Sequence, residues 1–227
     1  MRKNGVVIAI DGPSGAGKST LTRLLAQRLG YVHIDTGAMY RTLALAVSRS
    51  DEAVDNEAGI AEVCRTVVIE FRRDSDSCRV MANGEDVSEA IRTPAISMLT
   101  SRIAALRSVR DILLERQHEL GKDGGVILEG RDIGTVVFPD AEVKFFLSAS
   151  AAERGHRRFL ELQAKGCEAT LEETVAEVIQ RDVQDEAREI APLRKAKDAI
   201  EVDSTGLSVT EVLDRMEQLF RERATAV

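Results

Sequence analysis

Residues 6–20 read VVIAIDGPSGAGKST. The aliphatic run at 6–10 is short and bounded by glycine-rich punctuation, which reads as a buried strand. Residues 12–19, GPSGAGKS, satisfy G-x-x-x-x-G-K-[ST] in full, and a helical period follows from Ser19 to Leu29. Gly12, Gly15 and Gly17 allow torsions and close approaches that a side chain would block. The N–H groups of such a loop and the positive end of its helix face phosphate oxygens. Lys18 is then placed to reach β- and γ-phosphates, and the Ser19 hydroxyl to ligate Mg²⁺. A plain glycine-rich turn opening a helix is the competing reading, and the full match in strand–loop–helix context stands against it. ATP or GTP binding follows.

Further strand candidates lie at 31–34, 126–128, 143–147 and 199–202, with helical patterns between them. That alternation predicts an α/β fold, a five-stranded parallel sheet with helices on both faces. Thr170 with Glu173, and Ser208 with Glu211, have the spacing of capping boxes ahead of helices at 171–181 and after Ser208. Two stretches break the rhythm. Residues 57–97 hold two strand-like runs (67–71 and 79–81) and Asn83-Gly84, a strong hairpin signal, which predicts a small antiparallel insert. Residues 151–198 are helical and highly charged.

The chain has 227 residues, enough for one domain with insertions. It is 44% hydrophobic with no Trp and 4% aromatic residues, so the core must be aliphatic. A formal charge of −7 argues against a nucleic-acid polymer as partner. The cations are nonetheless 24 Arg against 7 Lys, and Arg forks onto carboxylates and phosphates as Lys does not. Cys64, Cys78 and Cys167 have no CxxC spacing, which predicts a reducing compartment rather than a disulfide framework or zinc site. The first apolar run is too short for a signal peptide or membrane span, so a cytoplasmic protein without a membrane partner is expected. His33, His118 and His156 are scattered and carry no assigned chemistry.

The acceptor of the phosphate is the harder question. A hydroxyl wants a positioned carboxylate and water an orienting residue. A phosphate acceptor is already ionised, and its difficulty is charge repulsion, which calls for several cations and exclusion of water. The arginine excess and the charged helical segment suit a phosphate acceptor best. Residues 35–41, DTGAMYR, follow the second strand; Thr36 is a plausible helix cap, Asp35 a turn or cap residue, and Tyr40 and Arg41 fall about one helical turn on. Residues 129–132, EGRD, sit at a strand's carboxyl end, the usual ligand crevice of such sheets. There Arg131 suits a phosphate and Asp132 a base's amino group, against a turn closed by a local salt bridge. Ser101, Arg102, Arg107 and Arg110 read on spacing alone as a solvated helix face. Arg181, Asp185 and Arg188 fall on one face of a helix, where structural ion pairing is the plain reading.

These segments together resemble the bacterial cytidylate kinases, P-loop enzymes that transfer phosphate from ATP to CMP or dCMP. The resemblance spans essentially the whole chain: IDGPSGAGKST, DTGAMYR, EDVSEAIRT at 85–93, SRIAALRSVR at 101–110, EGRDIGTVVFPDA and RDVQDEAREIAPL. It implies that Gly12, Pro13, Ser14, Gly15, Ala16, Gly17, Lys18, Ser19 and Thr20 hold the ATP phosphates, with Mg²⁺ at Ser19. It implies Ser101, Arg110 and Asp132 around the cytosine, and Thr36, Tyr40, Arg41 and Arg131 at the monophosphate. Arg181 and Asp185 would reach the sugar and Arg188 the phosphates, so Lys18, Arg131, Arg181 and Arg188 are the expected catalytic cations. Arg154, Arg157 and Arg158 are further candidates for transition-state charge. The implied organisation is one kinase domain with a core of 1–56, 98–150 and 191–227, a nucleotide-monophosphate insert at 57–97 and a lid at 151–190, acting as a monomer. Glu129 stands where Asp is common in relatives, and Gln184 and Glu186 where some lids carry Arg. A kinase for UMP, AMP or a metabolite hydroxyl, and a nucleotide-dependent switch, are the competing functions.

Overall fold

The computed structural model describes residues 2–53, 55–73, 78–164 and 166–224, excluding the side chains at 73 and 78. In chain order the elements begin β1 (Val7–Asp11), α1 (Lys18–Leu29), β2 (Val32–Asp35), α2 (Thr36–Ser48) and α3 (Glu57–Thr66). Then come β3 (Ile69–Arg73), β4 (Cys78–Ala82), β5 (Glu85–Asp86), α4 (Pro94–Ile103) and α5 (Arg107–Gly121). The chain continues with β6 (Val126–Gly130), β7 (Val143–Ser148), α6 (Ala151–Ala164), α7 (Leu171–Glu186), β8 (Ile200–Asp203) and α8 (Val209–Ala224). Two units result, Met1–Ile34 with Gly121–Val227, and Asp35–Leu120.

The first unit holds the five-stranded sheet, ordered β2-β6-β1-β7-β8. β1 runs parallel to both β6 and β7, with Ile10 opposite Glu129 and Phe145, and β8 runs parallel to β7. Every residue of β1 and β6 is buried, as unbroken aliphatic runs demand of central parallel strands. Ile8, Ile10, Phe145 and Leu147 meet Leu21 and Leu25 of α1 and Leu213 and Met216 of α8 in one core. With no Trp available, branched aliphatic side chains and one large buried Phe fill that space. Both capping boxes form. Thr170 and Glu173 exchange side-chain and backbone bonds at the start of α7, and Ser208 and Glu211 do so before α8. α7 runs five residues beyond the expected end, to Glu186.

In the second unit α2 buries eight of its residues, among them Met39, Leu43 and Val47. β3, β4 and β5 form the antiparallel sheet that Asn83-Gly84 foretold, with that pair turning the chain between β4 and β5. The connection between β3 and β4 lies outside the described residues.

Candidate nucleotide and phosphate site

In the first unit, the loop between β1 and α1 is held from below. A Cβ on Gly12 (φ +150°) would stand 2.0 Å from the Leu147 carbonyl oxygen, so the loop lies against β7 at a distance only glycine permits. Helix α1 starts after Gly17, whose φ is +88°, and no side chain caps its first turn. The early N–H groups of α1 therefore have no side-chain acceptor, the arrangement that suits a bound anion. Lys18 is buried, and its ammonium donates to the carbonyls of Gly12 (2.8 Å) and Pro13 (2.6 Å). Burial and then repulsion from Arg131 push its pKa well below the ordinary lysine value. A phosphate would restore the charge balance those two effects take away.

The Ser19 hydroxyl donates to Glu129 Oε2 at 2.8 Å, and Glu129 is itself buried at the end of β6. Asp11, the last residue of β1, is buried beside them and accepts from the N–H groups of Ile133 (2.8 Å) and Gly134 (2.7 Å). Burial raises its pKa to about 6 against the lowering effect of those two bonds. Asp11 thereby fixes the turn after β6, a single π-helical turn over Ile133–Val137 in which the Asp132 carbonyl accepts from Val136 and Val137. Asp132 is buried at the start of that turn.

Arg131 pairs with Asp185 at 2.7 Å, not with its neighbour Asp132, so the local salt bridge weighed above is replaced by a bond spanning 54 residues. Asp185 is buried and also bonds Arg188 at 2.5 Å. Burial pushes the Asp185 carboxyl up, but Arg131, Arg188 and Arg181 together outweigh it and hold the carboxyl below its usual value. The single helical face expected for Arg181, Asp185 and Arg188 is only partly right. α7 stops at Glu186, and Arg188 reaches Asp185 from beyond the helix end. Two arginines thus bond one buried carboxylate, with the charge of Arg181 acting on it as well, as pairing on a solvated helix would not require.

Arg154 is bonded and buried in this structure. Its guanidinium donates to Ala149 O, Ser14 O and both oxygens of Asp182, and it is 5% exposed. That fork braces the phosphate loop through Ser14. Arg157 is similarly committed to Glu153 and Ser204. Sequence reasoning named neither Asp11 nor Asp182 as a site residue, and left His33 without a role. His33 Nε2 lies 2.8 Å from Glu129 Oε1. For Asp11, its place directly before Gly12 was a usable signal; for Asp182 and His33 no local pattern existed, because both partners are far away in the chain.

In the second unit, Asp35 rather than Thr36 is the N-cap of α2, accepting from Ala38 N at 2.8 Å. The acidic side chain reaches the first-turn N–H groups, and Thr36 becomes the first helical residue, buried. The other Asp35 oxygen accepts from Arg41 at 2.9 Å, and Arg41 is half-buried rather than on an open helix face. Arg110 is 8% exposed, donates to Ala104 O at 3.3 Å and lies 5.8 Å over the ring of Tyr40. Arg107 is exposed, so of the expected solvated face Arg107 obeys and Arg110 does not. Ser101 is half-buried and donates to Ser97 O.

A family model described as cytidylate kinase matches residues 8–222. A cytidylate kinase of Geobacter sulfurreducens is 65% identical over 99% of this chain and 96% of its own length. One of Syntrophotalea carbinolica is 56% identical over 96% of this chain and 93% of its own. A crystal structure of an uncharacterized protein from Eubacterium ventriosum, 12% identical, shares the fold with a TM-score of 0.50 over 95% of this chain and 98% of its own. The glycine loop pressed against β7, the buried lysine and the arginines gathered at Asp185 thus occur in a chain that belongs to the cytidylate kinase family.

Proposed function

We propose that the chain transfers the γ-phosphate of ATP to CMP or dCMP, giving CDP or dCDP. The observation that carries this reading is the buried Lys18 at the start of an uncapped helix, with Arg131, Arg181 and Arg188 gathered around Asp185 in the same unit. A phosphate oxygen of the acceptor attacks the γ-phosphorus in line and ADP leaves, so no general base is required. The chain's task is to gather cations and hold the two nucleotides. Residues 12–20 cradle the donor phosphates, with Lys18 on the β- and γ-phosphates. Arg131, Arg181 and Arg188 neutralise charge around the transferred group. Asp185 exchanges one of its arginine partners for a sugar hydroxyl.

Asp132 accepts from the cytosine amino group; Ser101 and Arg110 complete base recognition. Thr36, Tyr40 and Arg41 serve the monophosphate. The segments 57–97 and 151–190 act as acceptor-binding insert and lid, and the protein works in the cytoplasm as a monomer. Magnesium suits this donor set: the Ser19 O–H donates a hydrogen bond to Glu129, and the hydroxyl oxygen keeps lone pairs for a cation. Ser19, with Glu129 beside it, would hold such an ion together with the nucleotide phosphates. When bound, it would supply charge neutralisation on the nucleotide phosphates.

The test is ATP-to-ADP turnover with Mg²⁺, alone and with CMP, dCMP, UMP, AMP, GMP and shikimate in separate reactions. Turnover chiefly with CMP and dCMP is expected. Asp132→Ala should cost about 1–3 kcal/mol of selection for CMP over UMP while ATP affinity holds. Slow hydrolysis equal in every reaction would turn the reading to a nucleotide-dependent switch.

A further inference from the structure

We infer that His33 is a positioning residue that sets the orientation of the Ser19 hydroxyl through Glu129. Three separate chain segments form the relay. His33 lies on β2 at the sheet edge, Glu129 near the end of the adjacent strand β6, and Ser19 in the first turn of α1. Glu129 Oε1 is 2.8 Å from His33 Nε2, and Oε2 accepts from Ser19 Oγ at 2.8 Å. The side chains of His33 and Glu129 are 13% and 4% exposed. An ionised carboxylate has only acceptors, so both neighbours must donate: Ser19 through its O–H, and His33 through an Nε2–H. The Ser19 proton is thereby directed at Glu129, and the lone pairs of the hydroxyl stay free for a cation. A buried carboxylate with one donor removed would turn toward another, and the hydroxyl would lose its fixed direction.

The inference rests on the magnesium-nucleotide reading of the site, but its test needs no acceptor. Binding of a fluorescent ATP analogue to the full chain is titrated across Mg²⁺ concentrations. His33→Ala is expected to raise the Mg²⁺ concentration for half-maximal binding about tenfold. His33→Gln, whose amide can donate in place of the imidazole, should return it close to the starting protein. In a Ser19→Ala background, His33→Ala should add nothing, because the relay has lost its end. KM for CMP should stay unchanged. An unaltered Mg²⁺ dependence in His33→Ala, or an equal further shift on top of Ser19→Ala, overturns the assignment. If His33→Ala does not fold, Glu129→Gln decides: it should raise the Mg²⁺ requirement similarly, and an unchanged requirement overturns the relay. Absence of CMP turnover in the unaltered chain would defeat the kinase reading and leave this binding result to stand or fall separately.

Discussion

The chain begins two helices after strands of one sheet, and it finishes their first turns in opposite ways. At α2, Asp35 places a carboxylate on the Ala38 N–H and ties its second oxygen to Arg41. At α1, a left-handed glycine takes the cap position and no side chain accepts from the first turn. An acidic cap satisfies a helix start and contributes about 1 kcal/mol, but it also places negative charge where an anion would sit. Leaving α1 uncapped forgoes that stabilisation and keeps the helix dipole open to phosphate. The neighbouring charge follows the same division. Lys18 is buried with its pKa depressed and donates to two carbonyls, while Arg41 already has a carboxylate partner. One helix start is closed by its own side chain and the other is left open.

Three substitutions test that contrast, in falling order of effect. Lys18→Ala should reduce ATP-to-CMP transfer by about 10²–10³-fold, measured in a coupled ADP assay, because a fixed cation at the transferred phosphate is lost. A decline of only a few-fold would mean that the arginines around Asp185 carry the charge stabilisation alone. Gly12→Ala forces a Cβ to within 2.0 Å of the Leu147 carbonyl, so loop or strand must move. The expected cost is about 3 kcal/mol, a Tm drop of roughly 6–12 °C by calorimetry, with loss of ATP affinity. Retained Tm and affinity would show that the loop does not depend on its close approach to β7. Asp35→Ala should lower stability by about 1 kcal/mol, a Tm change of roughly 2–4 °C, and leave ATP affinity untouched. A larger effect on ATP binding than on Tm would erase the distinction between the two helix starts.

Much of this was open to reading along the chain. The strand, glycine loop, lysine and helix are contiguous, so local pattern sufficed for the phosphate loop. Both capping boxes and the Asn83-Gly84 turn are likewise decided within four residues. What local pattern could not assign were side chains whose partners lie elsewhere. Arg131 stands beside Asp132 in sequence yet bonds Asp185, because the turn after β6 is held by Asp11 and the α7 carboxylate comes within reach of Arg131. Arg110 and Arg107 belong to one helix with similar local surroundings; only packing buries the first against Tyr40 and leaves the second in water.

Sequence alone therefore determined the fold class, the strand–glycine loop–helix unit and the family, since each depends on short-range spacing or on overall similarity. Tertiary structure decided which partner each cation has. It bonded Arg154 to Ser14 and Asp182, brought Arg131 and Arg188 onto Asp185, and linked His33 to Ser19 through Glu129. The physical reason is that a buried charge must find a partner, and in a parallel α/β sheet those partners arrive on strands and helices from distant parts of the chain.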